Sequence, residues 1–322
     1  MTTDDLAAAV AALRRDELVA FPTETVYGLG ARASSPAALR RLYAVKGRPV
    51  DHPVIVHVSS ADRLDSVAVI EHEVAYRLAA AFWPGSLTLV VARRIDAVDA
   101  LATGGRPTVG VRVPAHELAL ELLAQVDDGI AAPSANRFGR VSPTTAAAVR
   151  ADLGDDVAVV LDGGPCGVGI ESTIVDCTRG DDIRVLRLGA VTVDALAEVV
   201  GRMPTIVDNG SVAAPGTLPS HYAPRTPVAL VGVDAIDPWH DVEAAVTAGA
   251  RIGVLALATV AVAVTGVTVR WSPESIDDYA RDLYSTFRAA DTLGLDRLFV
   301  VAPLGGGLAA AVRDRVERAA AR

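Results

Sequence analysis

A stretch rich in proline and glycine over residues 201–227 divides this 322-residue chain into two regions. Proline lacks a backbone N–H and glycine has no preferred backbone conformation, so such a density of both excludes a helix or a central strand. The length also exceeds that of one average domain. We therefore expect a domain over residues 1–200, a linker over 201–227 and a second domain over 228–322.

Short apolar runs alternate with helical patterns in both regions, which predicts α/β domains. In the first region the predicted strands are 18–21, 53–58, 87–92, 108–113, 130–133, 157–161, 171–176 and 183–188. In the second region they are 228–231, 251–256, 267–270 and 297–301, with helices near 241–248, 275–290 and 307–318. This second pattern predicts a small parallel, Rossmann-like sheet, although the sequence has no dinucleotide-binding fingerprint.

Charge and cysteine content narrow the classes of function. The net charge of −9 argues against a broad nucleic-acid-binding face, because such faces are usually basic. Cys166 and Cys177 fit neither a redox pair nor a zinc pattern, so we expect buried thiols. The acidic N-terminus lacks the basic start of a signal peptide, and no apolar run reaches membrane-spanning length. We expect a cytoplasmic protein.

Lysine is almost absent from the chain. Of its 30 lysine and arginine residues, only Lys46 is a lysine, and it stands in the segment Lys46-Gly47-Arg48-Pro49. One interpretation is that a compact ammonium is needed at this position and a planar guanidinium cannot replace it. The other is a lysine retained at a helix end, where a cation is favourable to the helix dipole.

Three further features each have two interpretations. His57 lies on a mostly apolar strand, where a histidine is more often a core or edge residue than a catalytic one. Arg112 lies in a predicted buried strand, so it is either a salt-bridge partner or a ligand for a carboxylate. The glycine-rich run 162–169 could form backbone nests for phosphate or a simple hairpin turn.

Several polar side chains stand at the ends of predicted strands and helices, and an α/β sheet brings such ends to one crevice. They are Thr23, Lys46, Arg48, His57, Arg112, Ser134, Asn136, Ser142, Ser172 and Arg187. Cations and hydroxyls without a nucleophile–base pair favour binding of a polyanion and electrostatic catalysis. The motifs G-x-S-x-G and H-E-x-x-H are missing from the sequence, which disfavours hydrolase and zinc-enzyme interpretations.

Four segments together resemble the threonylcarbamoyl-AMP synthase family. They are residues 21–30, residues 46–49 with 53–58 after them, residues 133–136 with 142–144, and residues 171–176. The resemblance covers about residues 5–200, and residues 214–224 resemble the interdomain linker of the longer, two-domain Sua5 form. It implies a YrdC-like twisted mixed sheet with flanking helices, followed by a smaller Rossmann-like C-terminal Sua5 domain.

The resemblance also implies a nucleotidyltransferase reaction. L-threonine, bicarbonate and ATP, with Mg²⁺ accompanying ATP, would give threonylcarbamoyl-AMP and pyrophosphate, the first step in threonylcarbamoyladenosine (t6A) modification of tRNA at adenosine 37. The expected partners are these substrates and the downstream tRNA threonylcarbamoyl-transferase proteins, without a membrane and without stable nucleic-acid binding.

Site residues carried over from the family motifs fall into two groups. The nucleotide-binding tetrad, which is also the catalytic group, would be Lys46, Arg48, Ser134 and Asn136. ATP would further meet Thr108, Ser142, Arg187 and Tyr222. Threonine would be held by Thr23, His57, Arg112, the backbone near Ala132 and Ser172.

Two positions depart from the family pattern: Phe138 stands where a small residue is usual, and Thr217 where the linker often has methionine. We expect the second domain to cap or gate the first.

Two other functions remain as alternatives. One is an RNA-binding or ribosome-associated module without its own catalysis, which the acidic charge disfavours. The other is a carbamoyl transferase of the hydrogenase-maturation type, whose zinc-finger modules two cysteines cannot supply.

Overall fold

The computed structural model describes residues 3–207, 222–232 and 237–321. The described residues divide into two compact units, one within Met1–Phe138 and Ser142–Thr217 and the other within Gly139–Val141 and Leu218–Arg322. Of the linker motif expected at 214–224, the part up to His221, including Thr217, lies outside the described residues. Tyr222 is the first described residue after that gap.

Helix α2 shows how local sequence sets the elements of the first unit. The Ser35 side chain accepts a hydrogen bond from the Ala38 amide, and Pro36 occupies the first turn, where a missing N–H costs nothing. The helix ends at Lys46 because Gly47 adopts the left-handed conformation, with φ of 66°. The helix therefore reaches Lys46 itself, which agrees with the helix-end interpretation of this lysine.

The first unit contains seven α-helices and eleven strands in its described part. The helices are α1 (Thr3–Arg14), α2 (Pro36–Lys46), α3 (Leu64–Val67), α4 (Val74–Phe82), α5 (Glu117–Val126), α6 (Ala146–Leu153) and α7 (Val193–Val200). The strands are β1 (Val19–Phe21), β2 (Gly28–Arg32), β3 (Ile55–His57), β4 (Ala68–Val69), β5 (Leu87–Arg93), β6 (Thr108–Arg112), β7 (Ile130–Ala131), β8 (Val159–Val160), β9 (Thr173–Asp176), β10 (Arg184–Arg187) and β11 (Thr205–Ile206).

These strands form one mixed sheet, as expected. Its order is β11-β10-β9-β5-β6-β3-β7-β2-β1-β8, and β4 pairs with β5 outside this path. At its centre β5 runs antiparallel to β6 and parallel to β9, while β3 runs parallel to β6 with His57 opposite Arg112. The sheet therefore places the ends of predicted strands that are distant in sequence next to each other.

The two faces of the central strands differ. Val56 on β3, and Val109 and Val111 on β6, belong to the main hydrophobic core together with residues of α2 and α4. Side chains alternate along a strand, so Ile55, His57 and Arg112 lie on the opposite face. Ile55 there packs with Ile174 and Leu186 in a small separate cluster. This second face carries the polar residues His57 and Arg112.

Several elements of the first unit differ from the sequence-based expectation. Strand β2, which begins at Gly28, is not among the predicted strands. A Cβ at Gly30 would lie 2.9 Å from the Ile130 side chain, so glycine is required for the close strand approach. Helix α5 was not predicted, and its N-cap His116 makes no side-chain capping bond.

The third difference is β11, which lies inside the predicted linker. It pairs in parallel with β10, with Thr205 opposite Arg184, and it forms one edge of the sheet. Pro204 directly precedes it, and the start of an edge strand is a position where proline is tolerated. The proline content excluded a central strand correctly but did not exclude this edge strand.

The second unit is a four-stranded parallel sheet with helices, which confirms the Rossmann-like prediction. The strand order is β12-β15-β13-β14, and all three pairings are parallel. Its elements are β12 (Val228–Leu230), α8 (His240–Thr247), β13 (Ile252–Leu255), β14 (Val269–Trp271), α9 (Ile276–Leu293), β15 (Arg297–Val300) and α10 (Leu308–Ala320). Among the helices of both units, as far as the chain is described, none combines the length and apolar character that crossing a membrane requires.

Candidate active site

Lys46 meets Ser134 and Asn136 at the end of α2. Its Nζ donates to the backbone oxygens of Ser134 at 2.5 Å and Asn136 at 2.9 Å. The Ser134 hydroxyl and the Asn136 amide oxygen lie 3.4 and 3.3 Å from the same Nζ. The structure therefore brings together three of the four residues expected to form the nucleotide-binding tetrad, and the lysine fixes the loop that carries the other two.

The charge of Lys46 is poorly compensated. The side chain is buried, and the four oxygens around Nζ are all neutral. Burial lowers the pKa of Lys46 well below its usual range, and the nearby charge of Arg48 lowers it further, while Asp152 and Glu171 raise it. An anion that binds beside Nζ would favour the ammonium form, so this position suits a negatively charged ligand.

Arg48, the fourth member of the expected tetrad, lies under an aromatic ring. Its guanidinium donates to the backbone oxygens of His52 and Pro53, and its carbon Cζ lies 5.6 Å from the centre of the Phe138 ring. The Phe138 ring also meets the His52 ring edge-on at 5.7 Å, and its amide donates to the Lys46 backbone oxygen. The unusual Phe138 thus contacts the guanidinium of Arg48 with its ring and the backbone of Lys46 with its amide.

Arg112 is an ion-pair partner. Its Nη2 lies 2.6 Å from Oε1 of Glu24, its Nε donates to the Gly85 oxygen, and its Nη1 donates to the Thr25 hydroxyl. Burial raises the pKa of Glu24, but the charge and hydrogen bond of Arg112, together with hydrogen bonds from the Glu24 backbone and the Ser86 side chain, lower it, and the net shift is downward. Nε and Nη1 are thus hydrogen-bonded, and Nη2 is in the ion pair with Glu24. The salt bridge of the first interpretation is present, and a ligand carboxylate would have to share the guanidinium with Glu24.

Three other expected threonine-site residues lie near Arg112 in the sheet. His57 faces Arg112 across the β3–β6 pair, and Ala132 donates its amide to the Ile55 oxygen beside it. Thr23 accepts hydrogen bonds from the Thr25 and Val26 amides, which holds the turn that carries Glu24.

His57 is neutral. Burial, reinforced by the charge of Arg112, lowers its pKa to about 3. Its Nδ1 is buried and has no hydrogen-bond partner in the described part of the chain. An uncharged imidazole that can still form a hydrogen bond is suited to binding rather than to acid catalysis near neutral pH.

Ser172 and Arg187 contact each other directly. Arg187 donates from Nε to the Ser172 backbone oxygen and from Nη2 to its hydroxyl, at 3.0 and 3.1 Å. Ser142, which is fully buried, donates to Oε1 of Glu171 at 2.7 Å. Residues expected to serve threonine and ATP are therefore adjacent through the pair Glu171–Ser172.

Thr108 and Tyr222 are the remaining expected ATP residues. Thr108 lies at the first position of β6 and Arg112 at the last, about 13 Å apart at the usual rise per residue, on the same face of the strand. His57 and Arg112 thus lie at the same ends of the parallel strands β3 and β6, and Thr108 lies on the same face at the opposite end of β6. Tyr222 belongs to the second unit, where its ring stacks on Tyr284 and under the Arg315 guanidinium.

The backbone amides of the glycine-rich run 162–169 are hydrogen-bonded to other groups of the first unit. The amides of Gly163, Gly164, Cys166 and Val168 donate to Tyr27, Asp162, Thr144 and Glu24, respectively. These donors are not free to bind phosphate, which favours the turn interpretation. Cys166 and Cys177 are free and buried, as expected.

Sequence reasoning missed Glu24, Thr25, Thr88 and Glu171, which contact the expected site residues. A signal existed for Glu24, because a buried arginine on a strand needs a carboxylate partner and the loop 22–30 contains one. Thr88 and Glu171 carried no such signal, since their partners are known only from the strand register.

Two family models match the chain. The model described as "Telomere recombination", which covers the Sua5, YciO and YrdC proteins, matches residues 11–189. The model described as "Threonylcarbamoyl-AMP synthase, C-terminal domain" matches residues 191–321. Together they account for nearly the whole chain and for both units.

Similar proteins agree with these matches. The threonylcarbamoyl-AMP synthase of Bacillus subtilis is 38% identical, over 99% of this chain and 94% of the relative, and that of Pyrococcus abyssi is 35% identical, over 95% and 91%. The crystal structure of P. abyssi Sua5 complexed with L-threonine superposes with a TM-score of 0.89 at 34% identity, covering 98% of this chain and 94% of that one. The chain therefore belongs to the threonylcarbamoyl-AMP synthase family.

Proposed function

We propose that this protein is an L-threonylcarbamoyladenylate synthase, which converts L-threonine, bicarbonate and ATP to threonylcarbamoyl-AMP and pyrophosphate. The observation that carries the proposal is the contact of Lys46 with Ser134 and Asn136, with Arg48 beside them, in a chain of this family. The product would feed the t6A modification of tRNA through downstream threonylcarbamoyl-transferase proteins.

The threonine side of the site would consist of Thr23, His57, Arg112, Ala132 and Ser172. Arg112 supplies positive charge for the amino-acid carboxylate, while Glu24 holds the guanidinium in place. The neutral His57 adds a hydrogen-bonding group without a further positive charge. The P. abyssi relative was crystallised with L-threonine, which supports an amino-acid site in this fold.

The ATP side, within the first unit, would use the tetrad together with Thr108, Ser142 and Arg187. Lys46 and Arg48 would offset the negative charge of the phosphates, and burial makes this interaction stronger than in water. The described residues contain no cluster of three or more carboxylate, histidine or cysteine side chains suited to a metal ion. We therefore propose that Mg²⁺ enters as part of the Mg–ATP substrate and is bound chiefly by phosphate and water.

The reaction needs positioning and charge stabilisation rather than a protein nucleophile. The threonine amine and bicarbonate form a carbamate with loss of water. A carbamate oxygen then attacks the α-phosphorus of ATP, the bond from that phosphorus to the bridging oxygen breaks, and pyrophosphate leaves. Lys46 and Arg48 would stabilise the charge that develops on the phosphates during this step.

The direct test is pyrophosphate release by the full chain in the presence of ATP, Mg²⁺ and bicarbonate, with each amino acid supplied in turn. We expect release that requires both threonine and bicarbonate. Release that is independent of threonine, or no turnover combined with tight tRNA binding, would refute the proposal. The second result would favour the RNA-binding module.

Phe138 offers a test of the nucleotide side. Its ring lies over Arg48, and such cation–π contacts contribute about 0.5–2 kcal/mol, so Phe138→Leu should raise KM for ATP about 2- to 30-fold. Phe138→Tyr keeps a ring and should retain the wild-type KM. The measurement is pyrophosphate release at varied ATP, and equal KM values for the Leu and Tyr variants would contradict a role for the ring.

A further inference from the structure

Among the residues that the structure describes, the hydroxyl of Thr88 has a single hydrogen-bond partner, the hydroxyl of Ser172. Thr88 lies on β5, is fully buried, and its Oγ1 lies 2.8 Å from Ser172 Oγ. Its side-chain methyl packs close to Gly110 on β6, where an added Cβ would come within 3.3 Å of it. A β-branched side chain confined in this way keeps one rotamer, so the Thr88 hydroxyl is held towards Ser172.

The proton arrangement between the two hydroxyls is constrained by Arg187. A serine hydroxyl has one proton to donate and two lone pairs that accept. One lone pair of Ser172 already accepts from Arg187 Nη2 at 3.1 Å, because a guanidinium only donates. The remaining proton and lone pair of Ser172 must serve Thr88 and any ligand, and either hydroxyl can be the donor in their mutual bond.

A carboxylate ligand would determine which of the two hydroxyls, Thr88 or Ser172, donates its proton to the other. The cationic Arg187 next to Ser172 favours an anionic group of the amino acid over its ammonium. A carboxylate only accepts, so Ser172 must then donate its proton to the ligand, and Thr88 must donate to Ser172. In that state both lone pairs and the proton of Ser172 have partners, and the chain of bonds from Thr88 through Ser172 to the ligand is cooperative.

We propose that Thr88 is a positioning residue that donates its hydroxyl proton to Ser172 and thereby leaves the Ser172 proton for the carboxylate of bound threonine. The proposal rests on the proposed function, because that function places threonine at Ser172. Thr88 itself does not touch the reacting atoms.

The test compares Thr88→Val, which removes the hydroxyl, with Thr88→Ser, which keeps it. We expect Thr88→Val to raise KM for threonine and its Kd from calorimetry about 2- to 12-fold, the usual effect of one lost hydrogen bond. Its kcat and its KM for ATP should remain close to the wild-type values, and Thr88→Ser should restore threonine binding. Thr103→Val removes another buried threonine hydroxyl, bonded to Ala100 and Arg106, and should leave both KM values unchanged.

The outcomes separate this inference from the proposed function. If wild-type protein binds threonine and Thr88→Val binds it equally well, the positioning role is refuted while the function stands. If the Val and Ser variants lose activity with both substrates and melt at equally lowered temperatures, Thr88 is merely structural and the proposal fails. If wild-type protein neither binds threonine nor releases pyrophosphate, the function itself is wrong and the inference falls with it.

Discussion

Replacing Lys46 by alanine should lower kcat for pyrophosphate release by about 10²- to 10³-fold, the usual loss when one preorganised electrostatic group is removed from an active site. The ammonium is buried and already held by Ser134 and Asn136, so it needs no rearrangement before it meets the phosphates. Initial rates at saturating threonine, bicarbonate and Mg–ATP measure this loss. Circular dichroism of the variant establishes that the fold is retained.

Arginine should not restore the rate at this position. Nζ lies 2.5 Å from the Ser134 oxygen and 2.9 Å from the Asn136 oxygen, which accommodates a compact ammonium but not a wider planar guanidinium. Arg40→Ala is the matched control, since it removes an exposed cation from the same helix and should leave kcat unchanged. Full activity of Lys46→Arg would refute the argument that the single lysine is retained for its shape.

The rarity of lysine singled out Lys46, and its functional interpretation stays a prediction. The helix-end interpretation agrees with the structure, because Lys46 ends α2 and Gly47 follows in the left-handed conformation. Local sequence sets this helix through the capping Ser35, Pro36 and Gly47. The contacts of Lys46 with Ser134 and Asn136 span about ninety positions and come from tertiary structure.

The neighbours of Arg112 were not predictable from the sequence. The alternation of Ile55 and His57 with Val54 and Val56 places the histidine away from the main core. What such a pattern lacks is the strand order, which puts β6 between β3 and β5. Only that order brings Arg112 close to Thr88 on β5 and, through the pairing of β5 with β9, to Ser172.

The same reason explains why Glu24 was overlooked. Arg112 was expected to pair either with a protein carboxylate or with a ligand, and the sequence offers many carboxylates. The turn after β1 brings Glu24 to Arg112, where Ser86 and the Ala115 amide also donate to its carboxylate. A buried charge predicts that a partner exists, but identifying that partner needs the fold.

Replacing Glu24 by glutamine should lower the free energy of unfolding by about 3 kcal/mol, because it leaves the Arg112 guanidinium buried without its counter-charge. The glutamine side chain keeps the shape of glutamate, so the loss reports charge rather than packing. Urea unfolding at neutral pH measures it. We also expect a higher KM for threonine, since Glu24 holds the guanidinium proposed to bind the amino-acid carboxylate.

The pH dependence of the unfolding free energy provides a second test of the ion pair between Glu24 and Arg112. The pKa of Glu24 is lowered in the folded protein, so its ionisation stabilises the fold fully above the pKa of the unfolded carboxyl. That contribution disappears as the pH falls through the lower, folded-state value. Urea titrations across this acidic range should show the decline in the wild-type protein and a smaller one in Glu24→Gln.

A second substitution distinguishes a charge effect from a loss of packing. In the Glu24→Gln background, Arg112→Met removes the uncompensated cation, so part of the lost stability should return while threonine-dependent turnover stays low. Glu17→Gln breaks a solvent-accessible pair with Arg15 and should change stability little, because such pairs contribute little. If Glu24→Gln alone unfolds at the same urea concentration as the wild type, the buried pair does not stabilise the fold. Arg112 would then be able to bind a ligand without Glu24. The Glu24 carboxylate would in that case have a role in ligand binding and not in stability.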